Sequence, residues 1–291
     1  MRVSLPRQGA RLCVLLLAGA CAGQPSFVQA ISRAEEEMNA GRLLDAFQTL
    51  TQSIQEFPAE DLLYRKRAVI AYLLNAYELA WRDLEYYVAT NPADGIGWYN
   101  RARVALALDE PSVALECYRR ARDAGYSEPD ISNVITQLVL HCEGLQSDLQ
   151  AVEQFLKGNN DSLAHHDHVA ILLNLGRFDD AYKAVQDWLA SDTSAKTRFM
   201  LGSVELRRGQ YERALSVFQD LERSGDIIPA TVGKAKAYCC LGKWREAREA
   251  LDFLIKQNEA GPDARRLSAT IALALGDTDR YESEMAFVER R

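Results

Sequence analysis

Gly176-Arg177-Phe178-Asp179-Asp180-Ala181, Gly209-Gln210-Tyr211-Glu212-Arg213-Ala214 and Gly242-Lys243-Trp244-Arg245-Glu246-Ala247 are one phrase, glycine-x-aromatic-x-x-alanine, written three times at intervals of 33 residues. Self-similarity at such a period signals a small supersecondary unit that cannot bury a core alone and must stack on its neighbours. The glycine suits a chain reversal that needs positive φ. The alanine, five residues on, suits a place where two backbones approach closely.

The phrase resembles the tetratricopeptide repeat, whose 34-residue unit is a pair of antiparallel helices, with the glycine at unit position 15 and the alanine at position 20. Carried outward, this register starts units at residues 27, 61, 95, 129, 162, 195, 228 and 262. Position 20 then reads Ala46, Ala80, Ala114, Asp148, Ala181, Ala214, Ala247 and Tyr281. Position 8, which faces it across the hairpin, reads Ala34, Ala68, Ala102, Thr136, Val169, Gly202, Ala235 and Ala269. The turn position reads Gly41, Asn75, Asp109, Glu143, Gly176, Gly209, Gly242 and Gly276, of which only Glu143 is unsuited to positive φ. Pro58 and Pro92 fall where a second helix stops, and Pro129 and Pro262 where a first helix begins.

The resemblance implies an all-α fold, a right-handed superhelical solenoid of about eight antiparallel helix pairs. Three units are expected over 27–128, a degenerate hairpin over 129–161, and units five to eight with a C-terminal cap over 162–291. The fourth is the outlier because Glu143 stands at its turn and Asp148 in its small slot. Tyr281 and the charged tail Glu289-Arg290-Arg291 suit a last unit with one face in water.

Composition narrows the function classes. The chain has 291 residues, 48% hydrophobic and 26% charged, with a net charge of -7, which excludes a disordered or disulfide-scaffold protein. Residues 1–20 carry Arg2, Arg7 and Arg11, no acid, and the apolar run Leu12 to Ala18, the layout of a secretory signal. Its removal takes Lys plus Arg from 34 to 31 against 41 acids, leaving -10. Such a balance argues against nucleic-acid binding, which rests on neutralising phosphate. Ala18-Gly19-Ala20 fits a cleavage site. Read on to Cys21, the same residues resemble a relaxed bacterial lipobox with a lipidated Cys21, followed by a linker over 21–26. Either ending places the protein outside the cytoplasm, periplasmic or outer-membrane-associated, with lipid as a possible tether.

In arrays of this family the first helices line a concave groove through unit positions 2, 5, 9, 12 and 13. The resemblance therefore assigns to a partner-binding groove Arg65, Val69 and Tyr72 of unit two and Tyr99, Arg103 and Leu106 of unit three, with Leu62, Leu73, Ile96 and Ala107 beside them. Rings and aliphatics would anchor apolar side chains, and the two guanidinium groups would take carboxylates of a peptide or amphipathic helix. The chaperone-type carboxylate clamp is not expected, since Ile31 and Glu35 stand where it needs Lys and Asn. The C-terminal face, with Lys196, Phe199, Ser203, Val232, Lys236, Arg266 and Thr270, is milder, so the N-terminal block is the expected contact surface.

Other chemistry is sparse. His165 and His168, three apart on a helix, share a face and with His141 offer a candidate metal site, against a packing role for the same positions. Cys117, Cys142, Cys239 and Cys240 read as small buried hydrophobes, and no cofactor is implied. Phosphate loops, nucleophile elbows and zinc-protease helices are absent, so the chain reads as a non-enzymatic adaptor for protein partners. The alternatives are a small-molecule-binding companion of a transport system and, more remotely, a metal enzyme built on His165 and His168.

Overall fold

The computed structural model describes residues 26–128, 131–257 and 259–290, and within them the chain is helical, with no strand. The signal segment, Cys21 and Pro129 lie outside the described residues. Three hairpins come first: α1 (Phe27–Asn39) with α2 (Leu43–Glu56), α3 (Asp61–Leu73) with α4 (Tyr77–Thr90), and α5 (Gly95–Ala107) with α6 (Pro111–Asp123). The long helix α7 (Ile131–Leu156) follows alone. Four more hairpins complete the array: α8 (Ser162–Asn174) with α9 (Phe178–Ser191), α10 (Ala195–Arg207) with α11 (Tyr211–Arg223), α12 (Ile227–Cys240) with α13 (Trp244–Lys256), and α14 (Pro262–Ala274) with α15 (Thr278–Glu289).

Each hairpin turns by the same local device. Gly41, Asn75, Asp109, Gly176, Gly209, Gly242 and Gly276 all have φ between 57° and 78°. The next amide in each case donates to a carbonyl five residues back, as Arg42 does to Glu37 and Ala76 to Ala71, closing a Schellman turn. Several first helices start from a side-chain cap: Ser26 and Gln29 form a capping box, and Asp94 and Asp161 accept from the amides of Ile96 and Ala164. The small slots are then filled to contact, with Ala46, Ala80, Ala114, Ala181, Ala214 and Ala247 all fully buried.

Residues 131–156 depart from the hairpin expected over 129–161. They form one uninterrupted helix, about 39 Å long. The reason is local: Gly144 does not take positive φ, no proline interrupts the run, and Glu143 and Asp148 lie exposed instead of serving as turn and small slot. Ile131, Ile135 and Leu138 complete the core behind α5 and α6, while Leu149 belongs to the core of α8 and α9. One helix thus closes the first block and opens the second.

The last hairpin also differs from the expected cap. Tyr281 is buried, and its hydroxyl donates to the carbonyl of Leu74, 2.8 Å away and 207 residues earlier in the chain. Ala269, Ala272, Leu273, Tyr281 and Met285 share one apolar cluster with Leu74, Leu79 and Leu84. The array therefore curls until its end packs on its second hairpin, which accounts for a large ring in a slot elsewhere held by alanine.

At the first hairpin, buried Glu37 accepts from Arg33 Nε and Thr49 Oγ1, each at 2.8 Å. Burial pushes this carboxyl up, but the hydrogen bonds from Arg33 and Thr49 outweigh it and hold the group below its ordinary 4.5. A carboxyl depressed on folding adds stability above its unfolded pKa that is lost as pH falls through the folded one. The α1–α2 hairpin is expected to loosen as pH drops below about 4.5. Glu37→Gln should flatten that limb of an acid titration followed by amide exchange, and an unchanged limb would refute the assignment.

Candidate functional site

The first helices of the N-terminal block, α1, α3 and α5, lie side by side, and their inner residues form a groove. Its larger recess, of about 200 Å³, is lined by Ile31, Met38, Val69, Ile70 and Ile96, with Glu35, Arg65, Lys66 and Asn100 as its polar groups. A recess of about 20 Å³, water-sized, continues it past Val69, Asn100, Tyr72, Leu73 and Arg103. Beyond it the apolar surface carries on, since Leu73, Ile96 and Leu106 are each at least 40% exposed.

The two arginines differ in what they already hold. Arg65 is turned into the packing between α3 and its neighbours: its Nε lies 3.9 Å from Asp94 Oδ2, and its guanidinium sits 5.4 Å from the Tyr87 ring centre. Tyr87 donates to Asp94 at 2.6 Å, and burial together with that bond pushes its phenol up to about 12. Among the described residues Arg65 Nε has no hydrogen-bond partner. Arg103 instead stands over two rings, 4.5 Å from that of Tyr72 and 5.9 Å from that of Tyr99, and among the described residues no carboxylate pairs with it. Tyr99 is itself braced by Tyr118 and Tyr126, with centroids at 5.8 and 4.7 Å. A guanidinium placed on aromatic faces keeps its in-plane donors for a planar acceptor.

Of the residues read from the register, Arg65 and Val69 line the larger recess, and Val69, Tyr72 and Arg103 the smaller. Tyr99 reaches the same place through Arg103, and Leu106 lies exposed outside both recesses. Lys66 and Asn100 were not expected. Both occupy unit position 6, and the signal available was a polar residue there in consecutive units. Lys66 forms an ion pair with Glu35 of the preceding first helix.

The corresponding C-terminal face is met in part by α4, although Lys236 is exposed and the Arg266 side chain is 41% exposed. Burial pushes the carboxyl of Glu78 of α4 above its ordinary range against the pull of Lys236, Arg266 and Thr270, while Arg266 itself pairs with Asp263 at 3.5 Å. Arg207, at the end of α10, is 3.0 Å from Glu110 at the start of α6, and Arg82 of α4 lies 5.7 Å from the Trp244 ring centre. Phe199 packs on Phe218, and Val232 against the core of α12 to α14.

The histidines have partners of their own. His165 Nε2 is 2.9 Å from Asn160 Oδ1 and its ring stacks on Trp188, while His168 Nε2 is 3.6 Å from Glu153. Burial holds His168 below its ordinary pKa. His141 is exposed on α7, and among the described residues no group of three or more His, Cys, Asp or Glu is placed to hold a metal. The four described cysteines are free thiols but do not all pack alike: Cys117 and Cys239 are buried, Cys142 is half-buried and Cys240 is exposed at the end of α12, where a turn follows. No described helix is long and apolar enough to cross a membrane.

Residues 167–226 and 232–280 match the tetratricopeptide repeat family model. No curated protein matches the chain. Solved structures similar to it include a tetratricopeptide repeat protein from Parabacteroides merdae ATCC 43184, with 18% identity, 91% of this chain and 92% of that one covered, and a TM-score of 0.41. Also similar are the TPR2AB domain of yeast Sti1 in its pHSP90 complex (12% identity, 90% and 97% covered, TM-score 0.37) and Pseudomonas aeruginosa pilF (16% identity, 79% and 90% covered, TM-score 0.36). These likenesses are too distant to carry a functional argument. The family model falls on the helices that the glycine-x-aromatic-x-x-alanine phrase punctuates, in the C-terminal block, and the helix pairs on both sides of α7 repeat the same hairpin.

Proposed function

We propose that the protein is a non-enzymatic scaffold that holds a protein or peptide partner in the groove of α1, α3 and α5. The observation that carries this reading is Arg103, set on the rings of Tyr72 and Tyr99 with no carboxylate of its own among the described residues, beside the apolar recess at Val69. A partner segment offering an apolar side chain to the recess and a carboxylate to Arg103 satisfies both. The basic, apolar leader that ends at Cys21 supports export to a bacterial cell envelope, with lipid on Cys21 as the tether.

In-cell photocrosslinking from position 106, followed by identification of the captured protein, tests the groove. Tyr99→Ala with Arg103→Ala is expected to weaken capture roughly 10- to 100-fold, the loss of one or two interface anchors, with helix content unchanged. Capture that survives the double variant sinks the assignment. A Cys21→Ser variant that keeps its membrane association sinks the lipid tether.

The recess at Arg65, Lys66 and Asn100 also supports a second reading, a small anionic ligand held for a transport system. Native mass spectrometry of the purified protein separates the two. A stoichiometric small molecule lost on Arg65→Ala favours the second reading, and an empty protein with a crosslinked partner favours the first.

A further inference from the structure

Three tyrosines are buried among the described residues, and two of them use their hydroxyls: Tyr87 donates to Asp94 and Tyr281 to the carbonyl of Leu74. Tyr118 of α6, the most enclosed of the three at 4% exposed, has no hydrogen-bond partner among the described residues. A buried phenol ordinarily finds a partner, because an unpaired polar group costs free energy. The ring is enclosed but its oxygen is not: unlike Arg65 Nε and Ser112 Oγ, it reaches the surface. It does so beside Arg103, since the Tyr118 ring lies 5.8 Å from that of Tyr99, and the Tyr99 ring 5.9 Å from the Arg103 guanidinium. Burial pushes the Tyr118 phenol up to about 12 while the charge of Arg103 pulls against it, so at neutral pH the hydroxyl keeps its proton and is free to donate. Tyr72, whose ring carries Arg103 at 4.5 Å, also has a hydroxyl without a partner among the described residues.

We propose that Arg103 and the hydroxyl of Tyr118 form a subsite for one carboxylate, which makes Tyr118 a specificity-determining residue of the groove. This subsite belongs to the groove of α1, α3 and α5 and rests on the reading of that groove as a partner site; what it takes is an aspartate or glutamate side chain, not a phosphorylated one. The charges decide between the two. Among the described residues Arg103 is the one cation set on these rings, and Glu128 already stands at their edge, accepting from Tyr126 at 2.9 Å and from Tyr99 at 3.5 Å. One positive charge beside a fixed carboxylate suits a monoanion, whereas a phosphorylated side chain, at about -1.5 to -2 near pH 7, brings charge that nothing here offsets. The donors agree. The planar guanidinium spans both oxygens of a carboxylate, and the phenol supplies a proton to a remaining lone pair.

NMR of the arginine guanidinium signals of the full chain, titrated at pH 7 and constant ionic strength with sodium acetate and with inorganic phosphate, tests it, with Arg103→Lys identifying the signal to follow. Acetate is expected to shift the Arg103 signal saturably, and phosphate to bind no more tightly than acetate. Tyr118→Phe keeps the ring and its packing and removes only the hydroxyl. It is expected to weaken acetate binding about threefold to tenfold, the loss of one hydrogen bond. An Arg103 signal that acetate leaves unmoved overturns the proposal, as does equal acetate affinity in Tyr118→Phe and wild type, or tighter binding of phosphate than of acetate. Photocrosslinking from position 106 judges the groove separately. Capture lost in the variant with Tyr99→Ala and Arg103→Ala but unchanged in Tyr118→Phe keeps the groove and overturns the subsite. Capture that survives both sinks the groove, and the acetate titration still decides the subsite.

Discussion

Replacing Asp83 with alanine is expected to lower the unfolding free energy by about 3–5 kcal/mol, because it strands a buried guanidinium. Arg67 of α3 meets Asp83 of α4 through two parallel hydrogen bonds, Nε to Oδ2 and Nη2 to Oδ1, both 2.8 Å. The side chains are 13% and 5% exposed, and the rings of Phe47 and Tyr64 lie 5.8 Å from the guanidinium carbon. Bidentate geometry of this length belongs to a charged pair. Water cannot replace the lost carboxylate without unpacking those rings, so the uncompensated charge sets the size of the loss. The double replacement Arg67→Met with Asp83→Leu removes both charges and keeps the volume, and is expected to cost much less, or nothing. Urea denaturation followed by circular dichroism measures both. A single variant within about 1 kcal/mol of wild type, or a double variant as unstable as the single, contradicts the argument.

A loss of similar size is expected at Phe218, from packing alone. Its ring is fully buried between two backbones: a Cβ built on Gly202 of α10 would stand 2.6 Å from it, and one on Gly233 of α12 2.5 Å. The glycines leave room for the ring, and the ring fills the space they leave. Phe218→Ala is expected to cost about 3–5 kcal/mol, since two stiff helices cannot collapse into the gap. Gly233→Ala works from the other side. It gains up to about 1 kcal/mol of helix propensity and loses about 1–3 kcal/mol to overpacking, a net destabilisation. Joining it with Phe218→Leu should recover part of the loss, and strict additivity of the two changes in thermal melts would show that ring and glycine do not share the space.

Much of the fold was legible because each repeat solves the same two local problems. Asn75 and Asp109 could be placed at turns without a glycine because their short polar side chains tolerate positive φ, and both adopt it. The alanines of the two small slots marked where helices cross. At residues 129–161 the period outweighed the local signals. Glu143 cannot favour the turn and no proline stands from 131 to 156, yet the spacing of neighbouring units suggested a hairpin there. The packing of Tyr281 on Leu74 was out of reach, because it depends on small rotations summed over several units and α7. The groove was half legible. Positions carried over from the repeat located Val69, Tyr72 and Arg103, but not that Arg65 would turn toward Asp94, nor that Lys66 and Asn100 would face inward.

The continuity of α7 makes it a phase gauge for everything that follows. A helix advances about 100° and about 1.5 Å per residue, so one residue added beside exposed Glu143 would swing the whole C-terminal block through more than a quarter turn. Seven added residues, close to two turns, would return the block to within about 20° of its bearing but about 10 Å farther along the axis. Neither leaves Tyr281 on Leu74. The spacing of the hairpins tolerates drift, because each needs only its neighbour, whereas the length of this one helix has to be counted to the residue. The stretch that looks least like a repeat is the one that keeps the two halves in step.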